Sequence, residues 1–285
     1  MCSCRGTSGF AHVSCLAEQA KILLAEAEEN NLDDKVKNAR FDRWHMCSLC
    51  EQEYHGVVRC ALGWACWKTY LGRPEADRVR AGAMNLLGNG LSVARHDEEA
   101  LSVREAELSM ERRLGDSESN ILVMQGNLAN TYHLLGRLEE ALRLRRDVYS
   151  ATLRLFGEHE RTFIAANNYA STLANARRYK EARSLLRKTI PVARRVLGES
   201  RELTLRMRDI YATALHLNTD ATLDDLREAV TTLEDVAPIA RRVLGGAHPV
   251  TVEIEESLQN AQAALSAALR ARERPPARAD AIDAR

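Results

Sequence analysis

Aromatic residues make up only 5% of this 285-residue chain, and no cysteine occurs in the 219 residues after Cys66. The first scarcity turns attention to the abundant Ala, Leu, Arg and Glu, which lose little conformational freedom on entering a helix. The second excludes a disulfide framework over most of the chain. Neither sign of charge is in excess: forty basic residues balance forty acidic ones. No overall field therefore draws nucleic acid or an anionic membrane. The longest apolar run, near residues 57–67, is too short to span a bilayer. Met1-Cys2-Ser3-Cys4 lacks the basic start and apolar stretch of a signal peptide. A cytoplasmic location, with the nucleus as alternative, is the default expectation. No phosphate-cradling glycine loop, nucleophile elbow or His pair on one helical turn is found, so no catalytic residue is expected.

What the sequence does contain is repetition. Leu114-Gly115, Phe156-Gly157, Leu197-Gly198 and Leu244-Gly245 each follow a basic amphipathic run, and their glycines lie 42, 41 and 47 residues apart. Glycine just beyond a helix end enters the left-handed conformation without a steric cost. Between these marks a second signal recurs. It reads Arg95-His96-Asp97-Glu98-Glu99-Ala100, then Gly136-Arg137-Leu138-Glu139-Glu140-Ala141, then Arg178-Tyr179-Lys180-Glu181-Ala182, with the alanines 41 apart. Gly88, Ala129 and Ala170 share that spacing and predict a close approach of two helices. Each unit thus reads as helix, tight turn, longer helix, loop. One such pair leaves an apolar face that only a stacked neighbour covers.

Asn127-Leu128-Ala129 through Ala141, Asn167-Asn168-Tyr169-Ala170 and Leu244-Gly245-Gly246-Ala247-His248-Pro249 resemble the tetratricopeptide repeat (TPR) in its long, kinesin-light-chain form. The resemblance spans residues 80–272. It departs from the pattern after Gly115 and Gly198, where His-Pro is lacking, and around 218–226, where about six residues are added. A last helix over 250–271 is expected to cap the stack. The tail 273–285 is expected to be disordered.

In that family the first helices line a concave groove. The resemblance places Asn89, Asn127, Asn130, Asn167, Asn168, Ser171 and Asn175 on or near it, with Arg208 and Asp209 at the equivalent place in the fourth unit. An amide both donates and accepts, which suits the backbone of an extended peptide. The implied partners are therefore other proteins. Arg143, Arg145, Arg146, Arg187, Arg194, Arg195, Arg241 and Arg242 crowd the second helices. Without interleaved aromatics they read as a solvated outer face, not a nucleic-acid site.

All seven cysteines, at 2, 4, 15, 47, 50, 60 and 66, fall in the first quarter. Close pairs of thiols suit a tetrahedral metal ion. Cys2-x-Cys4-x7-His12-x2-Cys15, a 31-residue gap and Cys47-x2-Cys50 resemble the RING-CH (RINGv) zinc finger from its third ligand onward, and Tyr54 also fits. A PHD finger accommodates the gap better and Cys4-x7-His12 worse. The RING-CH cross-brace implies one complete zinc site, Cys2, Cys4, Cys47 and Cys50, and a half site, His12 and Cys15. The first ligand pair is expected to be missing, through truncation or degeneration. Some members of that family are ubiquitin ligases that hold a conjugating enzyme, and Trp44 is the candidate docking aromatic here. Cys60 and Cys66 lie on a helix expected over 57–70 and read as apolar packing.

The expected architecture is all-α. It is a right-handed α-solenoid of TPR-like helix pairs with a small zinc-binding module at residues 1–54, a linker helix at 55–79, repeats at 80–272 and a tail at 273–285. The expected role is a protein-binding adaptor carrying one zinc ion. The alternative is a RING-CH-type ubiquitin ligase whose repeats select substrates.

Overall fold

A computed structural model describes residues 12–273. It contains twelve α-helices among the described residues: α1 (Val13–Glu29), α2 (Asp34–Phe41), α3 (Gly56–Tyr70), α4 (Arg78–Val93), α5 (Asp97–Leu114), α6 (Glu118–Leu134), α7 (Leu138–Phe156), α8 (Glu160–Asn175), α9 (Tyr179–Leu197), α10 (Glu202–His216), α11 (Leu223–Leu244) and α12 (Pro249–Glu273). No strand occurs among them; a single antiparallel bridge joins Met46 and Glu53. No helix here is long and apolar enough to cross a membrane.

Local chemistry sets the helix ends. Asp77 accepts from the amides of Val79 and Arg80 at the start of α4, and Ser117 accepts from Asn120 at the start of α6. His159 accepts from the amide of Arg161, and His248 from that of Val250. The two loop histidines are thus capping groups, satisfying amides that a helix start leaves without partners. Gly115, Gly157, Gly198 and Gly245 all have positive φ, as their spacing predicted. The added residues of the fourth unit end in a capping box, where Thr222 and Asp225 exchange hydrogen bonds at the start of α11.

The chain divides into two compact units, Met1–Leu144 and Arg145–Arg285. In the first, Ala20 and Leu24 of α1, Trp44, Cys66 and Tyr70 of α3, and Ala83 and Leu86 of α4 form one core. The boundary expected at residue 54 is therefore no break in packing, and α3 is part of the fold. Gly63 and Gly90 explain how closely α3 meets α4. A Cβ on Gly63 would lie 2.8 Å from the Leu86 carbonyl, and one on Gly90 would lie 2.9 Å from Cys60 Cα. Cys66 is fully buried and burial pushes its thiol pKa up, while Cys60 packs in a separate cluster with Leu87 and Leu91. Both are packing groups, as expected. Trp44 is not the docking aromatic the sequence offered. It is buried edge-on against Tyr70, with ring centroids 5.8 Å apart. Arg73 clamps this layer with bonds of 2.8 and 2.7 Å to the Glu28 carboxylate, lying over the Tyr70 ring.

In the second unit one cluster runs through α8 to α12, from Phe163, Ala166 and Ala170 to Val250, Ile254 and Ala261. Ile254 and Ala261 are fully buried, so α12 closes the end of this core as expected. Glu273, assigned to the tail from sequence, is the last residue of α12. Residues 274–285 lie outside the described residues. Arg145 departs from its expected place on a solvated face: it is buried, and burial lowers its guanidinium pKa to about 10. The other seven arginines of that set are exposed.

Candidate partner-binding face

The first helix of each pair carries the asparagines. On α6, Asn127 is half-buried and its side-chain amide has no hydrogen-bond partner among the described residues. Its backbone carbonyl accepts from Thr131 Oγ1. On α8, Asn167 donates to Asn168 Oδ1 at 3.5 Å, while its own Oδ1 is buried without a partner. Ser171 is half-buried on the same helix; Asn130 on α6 and Asn175 on α8 are exposed.

The remaining three residues sit between helices. Asn89 donates to Asn85 Oδ1 at 2.9 Å and accepts from Arg104 at 2.8 Å, so its amide belongs to the α4–α5 seam. Arg208 is buried and reaches Asp235 at 3.4 Å. Asp209 is buried too. Desolvation raises its pKa to about 6, against a hydrogen bond with Ser257 that lowers it.

The α4–α5 seam is polar. Asn85 donates to Glu107 Oε1 at 3.1 Å and extends the chain of bonds through Asn89 to Arg104. Arg104 is 4% exposed and Glu107 1%. Gly88 packs against the arginine stem, where a Cβ would lie 3.5 Å from Arg104 Cγ, an ordinary van der Waals distance. Burial lowers the Arg104 pKa and raises that of Glu107, and each charge partly offsets the shift of the other. A cavity of about 530 Å3 opens beside this seam between α4, α5 and α6. Sequence reasoning missed Asn85, Glu107 and Glu111. The available signal was their spacing: Ala100, Arg104, Glu107, Leu108 and Glu111 follow the i, i+4, i+7, i+8, i+11 pattern of a core-facing stripe.

At the N-terminal end, His12 Nδ1 and Cys15 Sγ lie 4.0 Å apart. Cys47 and Cys50 share one turn, in which the Leu49 amide donates to Cys47 Sγ at 3.4 Å. Cys47 and Tyr54 are buried with Leu62, and Cys50, Val13 and Leu16 pack around them. Cys2 and Cys4 lie outside the described residues. Among the described residues no three His, Cys, Asp or Glu side chains gather closely enough to hold a metal.

Residues 120–195 match the tetratricopeptide repeat family. The chain is similar to the solved kinesin light chain TPR-like repeats of Podosopora anserina, at 18% identity, covering 82% of this chain and 98% of that one with a TM-score of 0.53. It is similar to the apo form of RapI at 11% identity, covering 93% and 88%, with a TM-score of 0.50. A Rap protein complexed with competence and sporulation factor gives 14% identity, coverage of 90% and 71%, and a TM-score of 0.50. No curated protein matches the chain in sequence. The repeat match covers residues 120–195, and the likeness to these solved structures extends the description to the fold, an all-helical TPR-like array of helix pairs.

Proposed function

We propose that the chain is an adaptor whose first-helix faces bind an extended segment of a partner protein. The observation that carries this recurs in each unit taken by itself: a half-buried asparagine on a first helix, Asn127 on α6 in the first and Asn167 on α8 in the second, with amide capacity left unused among the described residues. Asparagine is a poor helix-interior residue, so its recurrence here calls for a polar role. A peptide backbone offers the complementary donors and acceptors. The Rap neighbour in complex with competence and sporulation factor supports a partner-binding use of the fold. The test is a positional-scanning library of acetylated, amidated nonapeptides against the full chain. Asn127→Ala, or Asn167→Ala for a peptide selected by the second unit, should weaken the selected peptide about tenfold, the scale of one to two lost hydrogen bonds, with unfolding midpoints unchanged. A library from which nothing is selected would leave a scaffold without a peptide site.

A second activity, zinc binding by Cys2, Cys4, Cys47 and Cys50, is supported by the Cys47–Cys50 turn. There a backbone amide already donates to one sulfur, as a thiolate ligand requires. His12 and Cys15 would form the half site. Zinc would tie the N-terminal residues to this turn and contribute to folding. Native mass spectrometry should find one zinc per chain, lost in Cys47→Ser; a metal-free wild type would remove this reading.

A further inference from the structure

The cavity of the first unit is lined by four carboxylates, Glu75, Glu107, Glu111 and Asp116, against one base, Arg78. Two of the four are committed elsewhere. Glu75 pairs with Arg113, and Asp116 accepts from the Ser117 amide at 2.6 Å and from Asn120 Nδ2 at 3.0 Å. The other two are not. Glu107 uses Oε1 for Asn85, and its Oε2 is buried without a hydrogen bond. Glu111 is 7% exposed and forms no ion pair among the described residues. Arg104 offsets one of these charges, but its bond goes to Asn89.

A buried acceptor without a donor is costly and rare in native proteins, and a missing ligand is one physical reason for it. The group that fits must bring several N–H donors and a positive charge. An ammonium has three such donors and a guanidinium five. Leu114, Val123 and Met124 supply apolar wall for a methylene stem. On α6, Asn120, Val123, Met124 and Asn127 follow i, i+3, i+4, i+7, so the cavity lies on the same stripe as the candidate peptide-binding asparagine.

We propose that this cavity is a subsite for a lysine or arginine side chain of the partner segment, held by Glu107 and Glu111. It rests on the peptide-binding reading above and specifies its partner: a segment with a basic residue at one fixed position. The third repeat has Thr189 and Ala193 at the positions of Glu107 and Glu111, so the preference belongs to the first unit.

The test extends the same nonapeptide library to Glu107→Gln, Glu111→Gln and the control Glu98→Gln, an exposed carboxylate on α5 outside the cavity. The wild type should select Lys or Arg at one position. Each cavity variant should reduce that preference roughly tenfold or more, as loss of a desolvated charge partner does, and the control should leave it unchanged. Should Glu107→Gln unfold the chain, Glu111→Gln carries the test alone, because that side chain makes no hydrogen bond among the described residues. A motif with no basic position, or a basic preference that survives both variants, overturns the subsite and leaves peptide binding standing. Selection of nothing overturns both.

Discussion

The α4–α5 and α8–α9 pairs share one register, 82 residues apart, yet their seams are filled by opposite chemistry. Asn85, Asn89, Arg104, Glu107 and Glu111 in the first correspond to Asn167, Ser171, Leu186, Thr189 and Ala193 in the second. Gly88 and Ala100 correspond to Ala170 and Ala182, all buried in both pairs. The repeat therefore specifies where backbones approach and leaves the polarity of the filling free. The two seams differ in how well they satisfy themselves. Arg104 Nε and Nη1 and Glu107 Oε2 are buried without partners in the first, whereas Asn167 Oδ1 is the corresponding atom in the second. Both seams keep unused polar capacity, a single amide oxygen in the second and atoms of two charged groups beside a cavity in the first.

The most severe way to break the comparison is to write the first seam into the second. Leu186 is fully buried among Ala166, Ala170 and Leu205. Leu186→Ala should cost about 2–5 kcal/mol through lost transfer energy and a residual cavity. Leu186→Arg should cost more, since no carboxylate occupies position 189 and a buried charge would stand alone. Urea unfolding of the full chain, followed by helical circular dichroism, measures both. A loss below about 1 kcal/mol for either would mean the α8–α9 seam is not tightly packed.

The reverse graft should behave differently. Glu107→Thr alone removes the carboxylate whose charge partly offsets that of the buried Arg104 and should destabilise the chain. Adding Arg104→Leu should recover much of that loss, because it removes the buried charge left without an offset. The double-mutant cycle should show strong coupling. Additive losses would show that the pair does not act together. The double variant should also lose the preference for a basic peptide residue, separating stability from recognition.

Buried carboxylates offer a finer comparison, because each unit holds two, Glu107 and Glu111 in the first and Asp209 and Asp225 in the second. Desolvation raises the pKa of Glu107 in the first unit and takes that of Asp209 in the second to about 6. The folded state therefore binds the Asp209 proton more tightly than the unfolded chain does. Its penalty is fully present above the folded value and disappears as pH falls toward the ordinary aspartate value near 3.8. Asp209→Asn should accordingly be more stable than wild type at pH 7.5 by about 1–3 kcal/mol, a shift of some two units at ~1.4 kcal/mol each. The advantage should fade to nothing near pH 4. A pH-independent difference would assign the effect to packing.

These contrasts also show what sequence alone reveals. The 41-residue spacing of Ala100, Ala141 and Ala182 identified positions that are fully buried, because a repeated close approach leaves a periodic mark. Gly63 and Gly90 make tighter crossings than Gly88, which does share the repeat spacing. They escaped notice because α3 lies outside the repeat and a single contact has no period. Arg104 and Arg145 were hidden by a sound generalisation, that arginine is almost never fully buried. Their place on a core-facing stripe argued otherwise. Of the candidate zinc ligands, the structure brings together His12 with Cys15 and Cys47 with Cys50, which neighbouring sequence positions already implied. For the asparagines, sequence located the helix but not the engagement of each amide. Asn89 is engaged by Arg104 across the α4–α5 seam.

The smallest effect tests what the two units share. Arg95, Gly136 and Arg177 occupy the same position, 41 residues apart, in the turn between the helices of a pair. Their φ angles are 65°, 73° and 56°. The turn demands the left-handed region whatever residue stands there, and a side chain with a Cβ pays about 1–2 kcal/mol for it. Arg95 and Arg177 are exposed, so neither loses packing on truncation. Glycine relieves the strain but gives the unfolded chain more freedom, a loss of about 0.5–1 kcal/mol. Arg177→Gly and Arg95→Gly should therefore each stabilise by at most about 1 kcal/mol, and Gly136→Arg should destabilise by the same amount. Arg95 has slightly less to gain, because its Nε lies 3.6 Å from Asp97, an exposed guanidinium against a largely buried carboxylate. Thermal unfolding of the three variants reads the differences directly. Equal and opposite shifts would show that the turn is one element used in both units. A destabilised Arg177→Gly would mean that its side chain holds the α8–α9 turn through a contact of its own.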